Sequence, residues 1–243
     1  MSKRRKTTRA AKAKRQQAAR QADRWRHWPY FAVGAVAAVL VAALFLVSIG
    51  GDPSTSEVEA SYPAGYSPPA IGSESAPVEM VMWGDYQCPF CRRFELTTLP
   101  ALVKRYVDTG QVRFVWRNFE RYGTESQDSA FAAHCAGEQD RFWEYHKKLY
   151  ENQRGINTGV FVKDNLQRFA DEIGLEPAAF SACIEGLGYN AVILADKRLG
   201  RSQGVNATPT FFINGEMIVG AQPTETFVNL IEAARLDAAD SEG

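Results

Sequence analysis

Trp83-Gly84-Asp85-Tyr86-Gln87-Cys88-Pro89-Phe90-Cys91 decides the reading of this chain. An apolar run from Val78 to Trp83 breaks at Gly84 and delivers two cysteines, separated by two residues, onto a helix start. The run is rich in β-favouring residues, the pattern of a buried strand. Beyond it, Phe90, Phe94, Leu99, Leu102, Val103, Tyr106 and Val107 recur at close to helical spacing, with Pro100 expected to kink the helix.

Cys88 at the N-cap or first turn faces unpaired backbone N–H groups and the positive end of the helix dipole, which favour thiolate over thiol. Cys88 is therefore expected to be the nucleophile. Cys91, one turn on, lies on the same face and can close a disulfide with it. A pKa lowered to roughly 5.5 would stabilise the dithiol at neutral pH by about 2 kcal/mol, or about 45 mV. Zinc sites share the C-x-x-C spacing but need two further ligands nearby. Cys135 and Cys183 stand alone and no second C-x-x-C or H-x-x-x-H follows, so redox chemistry with no metal and no organic cofactor is the expectation.

The 243 residues, 45% hydrophobic and 23% charged, suffice for one full-sized core. A net charge of zero conceals a division: residues 1–28 hold eleven Lys or Arg against Asp23, and the remainder carries a charge of about −10. Residues 29–50 contain the uncharged run Tyr30 to Ile49, long enough at about 1.5 Å per residue to cross a bilayer core of about 30 Å. An uncleaved transmembrane helix is expected there, because the run exceeds a signal-peptide h-region and Val47-Ser48-Ile49-Gly50-Gly51 is a poor cleavage site. Trp25, Trp28 and Tyr30 suit an interfacial belt, and the basic tail, residues 1–28, is expected on the cytoplasmic side with the globular part outside. Membrane topology accounts for the tail's charge, so nucleic acid is not an expected partner. Disulfides persist outside the cytoplasm.

Residues 51–69 form a Gly-, Pro- and Ser-rich linker whose character persists to about Ala76, a tether of about 30 Å reach ahead of a domain at 70–243. Gln111 to Asn118 is a second strand, parallel to the first across a βαβ unit, and the carboxyl edge of that sheet holds Cys88. About 124–204 is helical in pattern throughout, a helical insertion in an α/β domain. Thr208-Pro209-Thr210-Phe211-Phe212-Ile213-Asn214-Gly215-Glu216-Met217-Ile218-Val219-Gly220 supplies an Asn-Gly hairpin, and a last helix runs from about Thr224 to Leu236.

A strand before Cys88-Pro89-Phe90-Cys91, a helical insertion, and Thr208-Pro209 before an Asn-Gly hairpin together resemble the thioredoxin fold. More narrowly, the chain resembles the membrane-anchored DsbA-like thiol:disulfide oxidoreductases of bacteria over about residues 70–236. That resemblance implies that Cys88 is the exposed nucleophile, Cys91 the buried resolving thiol, Pro209 a cis-proline beside the disulfide, and Thr208 a backbone contact for an extended substrate peptide. It also implies reoxidation by a quinone-linked membrane partner. Many thioredoxin-like proteins carry a buried carboxylate six residues before the nucleophile, and here that position is Met82. Asp85 lies nearer, but a solvated loop residue fits it equally, and it stays outside the catalytic set.

Cys135 and Cys183 both fall on helical patterns and are candidates for a structural disulfide worth roughly 4 kcal/mol in the chain-entropy model. Two buried thiols and a relay to the catalytic pair are the alternatives. His134 and His146 receive no role, and Phe142, Trp143, Tyr145 and Tyr150 are read as core. Asn206-Ala207-Thr208 matches a glycosylation pattern by accident of the active-site loop. The expected activity is insertion of disulfides into exported, cysteine-containing proteins at the outer face of the cell membrane. An extracytoplasmic reductase or isomerase and a non-enzymatic peptide-binding or chaperone domain are the rival readings.

Overall fold

The computed structural model describes residues 62–63, 66–186 and 188–241. The basic tail, the expected transmembrane helix and the linker as far as residue 61 lie outside the described residues. Among the described residues no single helix is long and apolar enough to cross a membrane.

The described residues form a five-stranded sheet in the order β1-β3-β2-β4-β5. β1 is Ala70–Ile71, β2 Val78–Gly84, β3 Val112–Asn118, β4 Thr210–Ile213 and β5 Glu216–Val219. β2 and β3 pair in parallel from Val78↔Val112 to Gly84↔Asn118, and the remaining pairs are antiparallel. Val78, Met80 and Met82 in β2 are almost wholly buried, as the apolar run requires. At the hairpin, Asn214 and Gly215 both take positive φ, 45° and 90°, the backbone that an Asn-Gly turn supplies without strain.

The helix after β2, labelled α1, opens as Pro89–Arg93 and continues through wide turns at Phe94–Thr98 and Val103–Val107 that flank Leu99–Leu102. Pro100, expected to kink it, sits inside this continuous helix just after the first wide turn, where the Leu99 N–H reaches back five residues to the Phe94 carbonyl. Phe94 from α1 meets Phe211 from β4 at 4.5 Å and Phe227 at 5.1 Å between ring centroids. Phe227 belongs to the terminal helix, which follows five insertion helices: α2 is Thr124–Gly137, α3 Phe142–Asn152, α4 Lys163–Glu172, α5 Pro177–Glu185, α6 Asn190–Ser202 and the terminal helix α7 Thr224–Ser241. No described residue between β3 and β4 is a strand. α2 and α5 are joined by a disulfide between Cys135 and Cys183.

β1 was not expected, because two residues carry no period. The expected linker also differs from the structure where it is described. The Tyr62 hydroxyl donates to Asp196 Oδ1 at 2.8 Å, and the Tyr62 and Tyr66 rings stack at 5.3 Å. Asp196 on α6 is fully buried and accepts in addition from the Arg117 guanidinium at 2.9 Å and the Asn118 backbone N–H at 2.9 Å. A buried carboxylate needs such partners, and the residues just ahead of β1 supply one of them.

Candidate active site

At the carboxyl end of β2, Gly84 lies against Trp116 so closely that a Cβ there would meet the indole at 2.3 Å. Glycine is what lets the chain turn at this point. The following loop ends at Cys88, the N-cap of α1, with φ −73° and ψ 118°, and Pro89 occupies the first turn, where no N–H is needed.

The resemblance made Cys88 an exposed nucleophile. Instead it is 1% exposed, because the loop before β4 covers it: the Cys88 thiol donates to the Thr208 carbonyl at 3.2 Å, and Thr208 precedes Pro209 through a cis peptide bond. Phe90 is 56% exposed and Pro89 beside it is exposed as well, so the accessible surface of the motif is the pair of residues between the two cysteines. Cys91 is completely buried.

The Cys88 thiol is brought down to about 6 from an ordinary value of 9.0. The largest cause is a hydrogen bond donated by the Cys91 thiol; burial opposes it, and the Thr208 side chain and the N–H groups of Cys91 and Phe90 add to it. The helix start therefore contributes, but the partner thiol contributes more, which reverses the emphasis drawn from the sequence. Thr208 Oγ1, buried with no hydrogen-bond partner, is free to turn its hydrogen toward the thiolate. Cys91 moves the other way: burial first, then the neighbouring Cys88, push it well above the ordinary range. At neutral pH the reduced pair thus holds one thiolate and one thiol.

Asp85, set aside as an equally plausible solvated residue, is 2% exposed. Its Oδ1 accepts from the Gln87 backbone N–H and the Ser126 hydroxyl, both at 2.8 Å, and its Oδ2 from the Arg121 N–H at 2.6 Å. Burial raises its pKa against these donors. The carboxylate fastens the cysteine loop to the start of α2. Gln87, fully buried, works beside it, donating to Ser126 Oγ at 2.9 Å and to the Tyr122 carbonyl at 3.3 Å. Nothing in the sequence pattern singles out Gln87, since its role depends on residues 35 or more positions away.

Met82, at the position where a carboxylate is common, is fully buried and paired with Trp116 in β3, also fully buried. His146, given no role, lies between the Tyr86 hydroxyl at 2.8 Å from its Nδ1 and Glu95 Oε1 at 3.1 Å from its Nε2. His134 meets Asn118 Nδ2 at 2.8 Å, and burial pushes it down to about 3, so it stays neutral at any ordinary pH. Phe142, Tyr145 and Tyr150 are buried and Trp143 packs partly buried against them, as core residues do. No group of three or more His, Cys, Asp or Glu among the described residues is placed to hold a metal ion. Next to the pair, Phe90, Arg93, Thr97, Thr208, Gln222 and Thr224 line an open groove.

A thiolate at a helix N-terminus, a buried thiol one turn behind it and a cis-proline loop across them define a thioredoxin-fold centre for thiol-disulfide exchange. Residues 66–233 match the thioredoxin family, and the chain belongs to that family. It is 28% identical over 153 residues to disulfide bond formation protein D of Bacillus subtilis, covering 62% of this chain and 69% of that protein. Among solved structures it superposes on oxidised BdbD of Bacillus subtilis with a TM-score of 0.65 and 26% identity, covering 69% of this chain and 92% of that one. Alpha-DsbA1 of Wolbachia pipientis gives a TM-score of 0.65 and 25% identity, with 72% and 94% covered. The chain is a thiol-disulfide oxidoreductase of the DsbA type.

Proposed function

We propose that this oxidoreductase works as a disulfide donor to exported proteins, held at the outer face of the cell membrane by residues 29–50 and reoxidised there by a quinone-linked membrane partner. The observation that carries the direction is the division of acidity, Cys88 near 6 and Cys91 well above the ordinary range. A substrate thiolate attacks Cys88 Sγ of the disulfide, the Cys88–Cys91 bond breaks, and Cys91 leaves and takes up a proton. A second substrate thiolate then attacks the substrate sulfur, forming the substrate disulfide and releasing Cys88 as a stabilised thiolate. Two electrons pass from substrate to the pair, and the partner removes them.

The groove beside Phe90 and Thr208 fits the substrate chain, with Thr208 and Pro209 against the reacting sulfur. The uncharged run Tyr30 to Ile49 and the basic residues before it support the placement at the membrane. Equilibration of the Cys88/Cys91 pair against glutathione tests the direction: a potential as low as that of cytosolic reductants, near about −270 mV, overturns it. Cleavage of the 70–243 domain by protease added to intact cells tests the location, with cleavage only after lysis as the contrary result.

A further inference from the structure

Besides Ser126 on α2, the insertion reaches the cysteine loop through a stripe of α3. His146, Tyr150 and Gln153 fall at i, i+4 and i+7, at and just beyond the end of the helix, and are 2%, 0% and 5% exposed. All three end on residues 85–88. Gln153 Nε2 donates to the Tyr86 carbonyl at 2.8 Å and to the Cys88 carbonyl at 2.9 Å. The Tyr150 hydroxyl donates to the Asp85 carbonyl at 3.3 Å, and His146 Nδ1 meets the Tyr86 hydroxyl.

A carbonyl oxygen is the negative end of its peptide dipole, and the N–H of the same plane points the opposite way. Turning the Tyr86 carbonyl toward Gln153 aims the Gln87 N–H at Asp85 Oδ1, where it is found. The Cys88 carbonyl is shared between Gln153 and the Arg92 N–H at 3.0 Å, the first backbone bond of α1, and the two together fix the peptide plane into Pro89 and the angle at which Cys88 Sγ meets the N–H groups of Phe90 and Cys91. The Thr208 carbonyl already lies 3.2 Å from that sulfur. A second carbonyl swinging toward it would oppose the thiolate.

We propose that Gln153, supported by Tyr150, is a positioning residue for thiol-disulfide exchange: together with the Arg92 N–H it holds the loop carbonyls off Cys88 Sγ, so the helical insertion helps to orient the nucleophile. The titratable groups that sense Cys88 are Cys91 on α1, Tyr122 between β3 and α2, and Tyr150 on α3. Burial raises all three, so Cys88 is the thiol that titrates near pH 6.

Gln153→Met keeps the side-chain length and removes both donors. In the reduced full-length chain it moves the thiolate absorbance titration up by about one pH unit, and the equilibrium with glutathione shifts about fivefold toward the disulfide at pH 7. Tyr150→Phe removes one oxygen and moves both readouts the same way by a smaller amount. A packing role alone lowers the melting temperature and leaves titration and equilibrium where they were, and that outcome in Gln153→Met overturns the proposal. If Gln153→Met does not fold, an unmoved titration in Tyr150→Phe overturns it instead.

Discussion

Reducing the Cys88–Cys91 bond places a charge whose free energy depends on folding, and pH is the perturbation that measures it. Cys88 ionises near 6 in the folded chain and near the ordinary 9.0 when unfolded. A folded pKa below the unfolded one gives stability that is complete above the unfolded value and is lost as pH falls through the folded one. Relative to an unshifted thiol, the contribution is about 2.7 kcal/mol at pH 8, about 1.4 at pH 7 and about 0.4 at pH 6. Cys91 has the opposite sign: raised in the fold, it contributes below its ordinary value and is lost only at higher pH. The interval from pH 6 to 8 therefore reports Cys88. The shifts of Asp85 and His134 come from burial and, for Asp85, hydrogen bonds rather than from either cysteine, so subtracting oxidised from reduced should cancel them. Urea unfolding of both forms across this interval should show the reduced form losing about 2.3 kcal/mol against the oxidised one between pH 8 and pH 6. A difference that stays flat across the interval refutes the thiolate assignment.

Replacing Cys135 and Cys183 together by Ala opens a cross-link spanning a sequence separation of 48. It should lower unfolding free energy by up to about 4 kcal/mol while leaving the Cys88 titration in place; a shifted titration would mean that the two pairs communicate. Asp85→Ala strands the Gln87 and Arg121 N–H groups and the Ser126 hydroxyl, at a cost of about 2 to 4 kcal/mol in denaturant unfolding. Asp85→Asn should cost less, and an equal loss would show that the charge rather than the hydrogen bonding matters. Asp196→Ala leaves Arg117, 17% exposed, without its partner and should cost about 3 kcal/mol or more. The same change frees Tyr62, and limited proteolysis ahead of β1 should accelerate; unchanged cleavage would show that Tyr62 holds without Asp196.

What could be read in the sequence was whatever is encoded within a few residues. The β2 run, Pro89 at the first helical turn and Asn214-Gly215 each specify a backbone shape locally, and their order along the chain points to the thioredoxin fold. The supports of the site are non-local and could not be read. Gln153 reaches Tyr86 across 67 positions and Tyr62 reaches Asp196 across 134. Asp85 illustrates the gap: a carboxylate in a short loop is ordinarily solvated, and only the arrival of Ser126 and the Arg121 N–H makes burial affordable. The same reasoning applies to Cys88, whose cover is Thr208, 120 positions on.

The unequal acidity of the two cysteines bears on the proposed direction through the mixed disulfide. Two thiols compete to resolve it: Cys91, whose attack on Cys88 returns the substrate reduced, and a second substrate thiol, whose attack releases it oxidised. Only a thiolate attacks, and Cys91 is held protonated by burial. The carboxylate that in many thioredoxin-like proteins would take its proton is absent here, because Met82 fills that place against Trp116. On the proposed direction, this slows resolution by Cys91, so the intermediate should persist until the second substrate thiol arrives. That thiol meets a favourable leaving group in Cys88, since a lower pKa makes a thiolate leave faster. The high pKa of Cys91 also makes it a poor leaving group in the first step. Protonation after departure offsets this, because the thiol so formed no longer attacks, and the exchange is drawn forward.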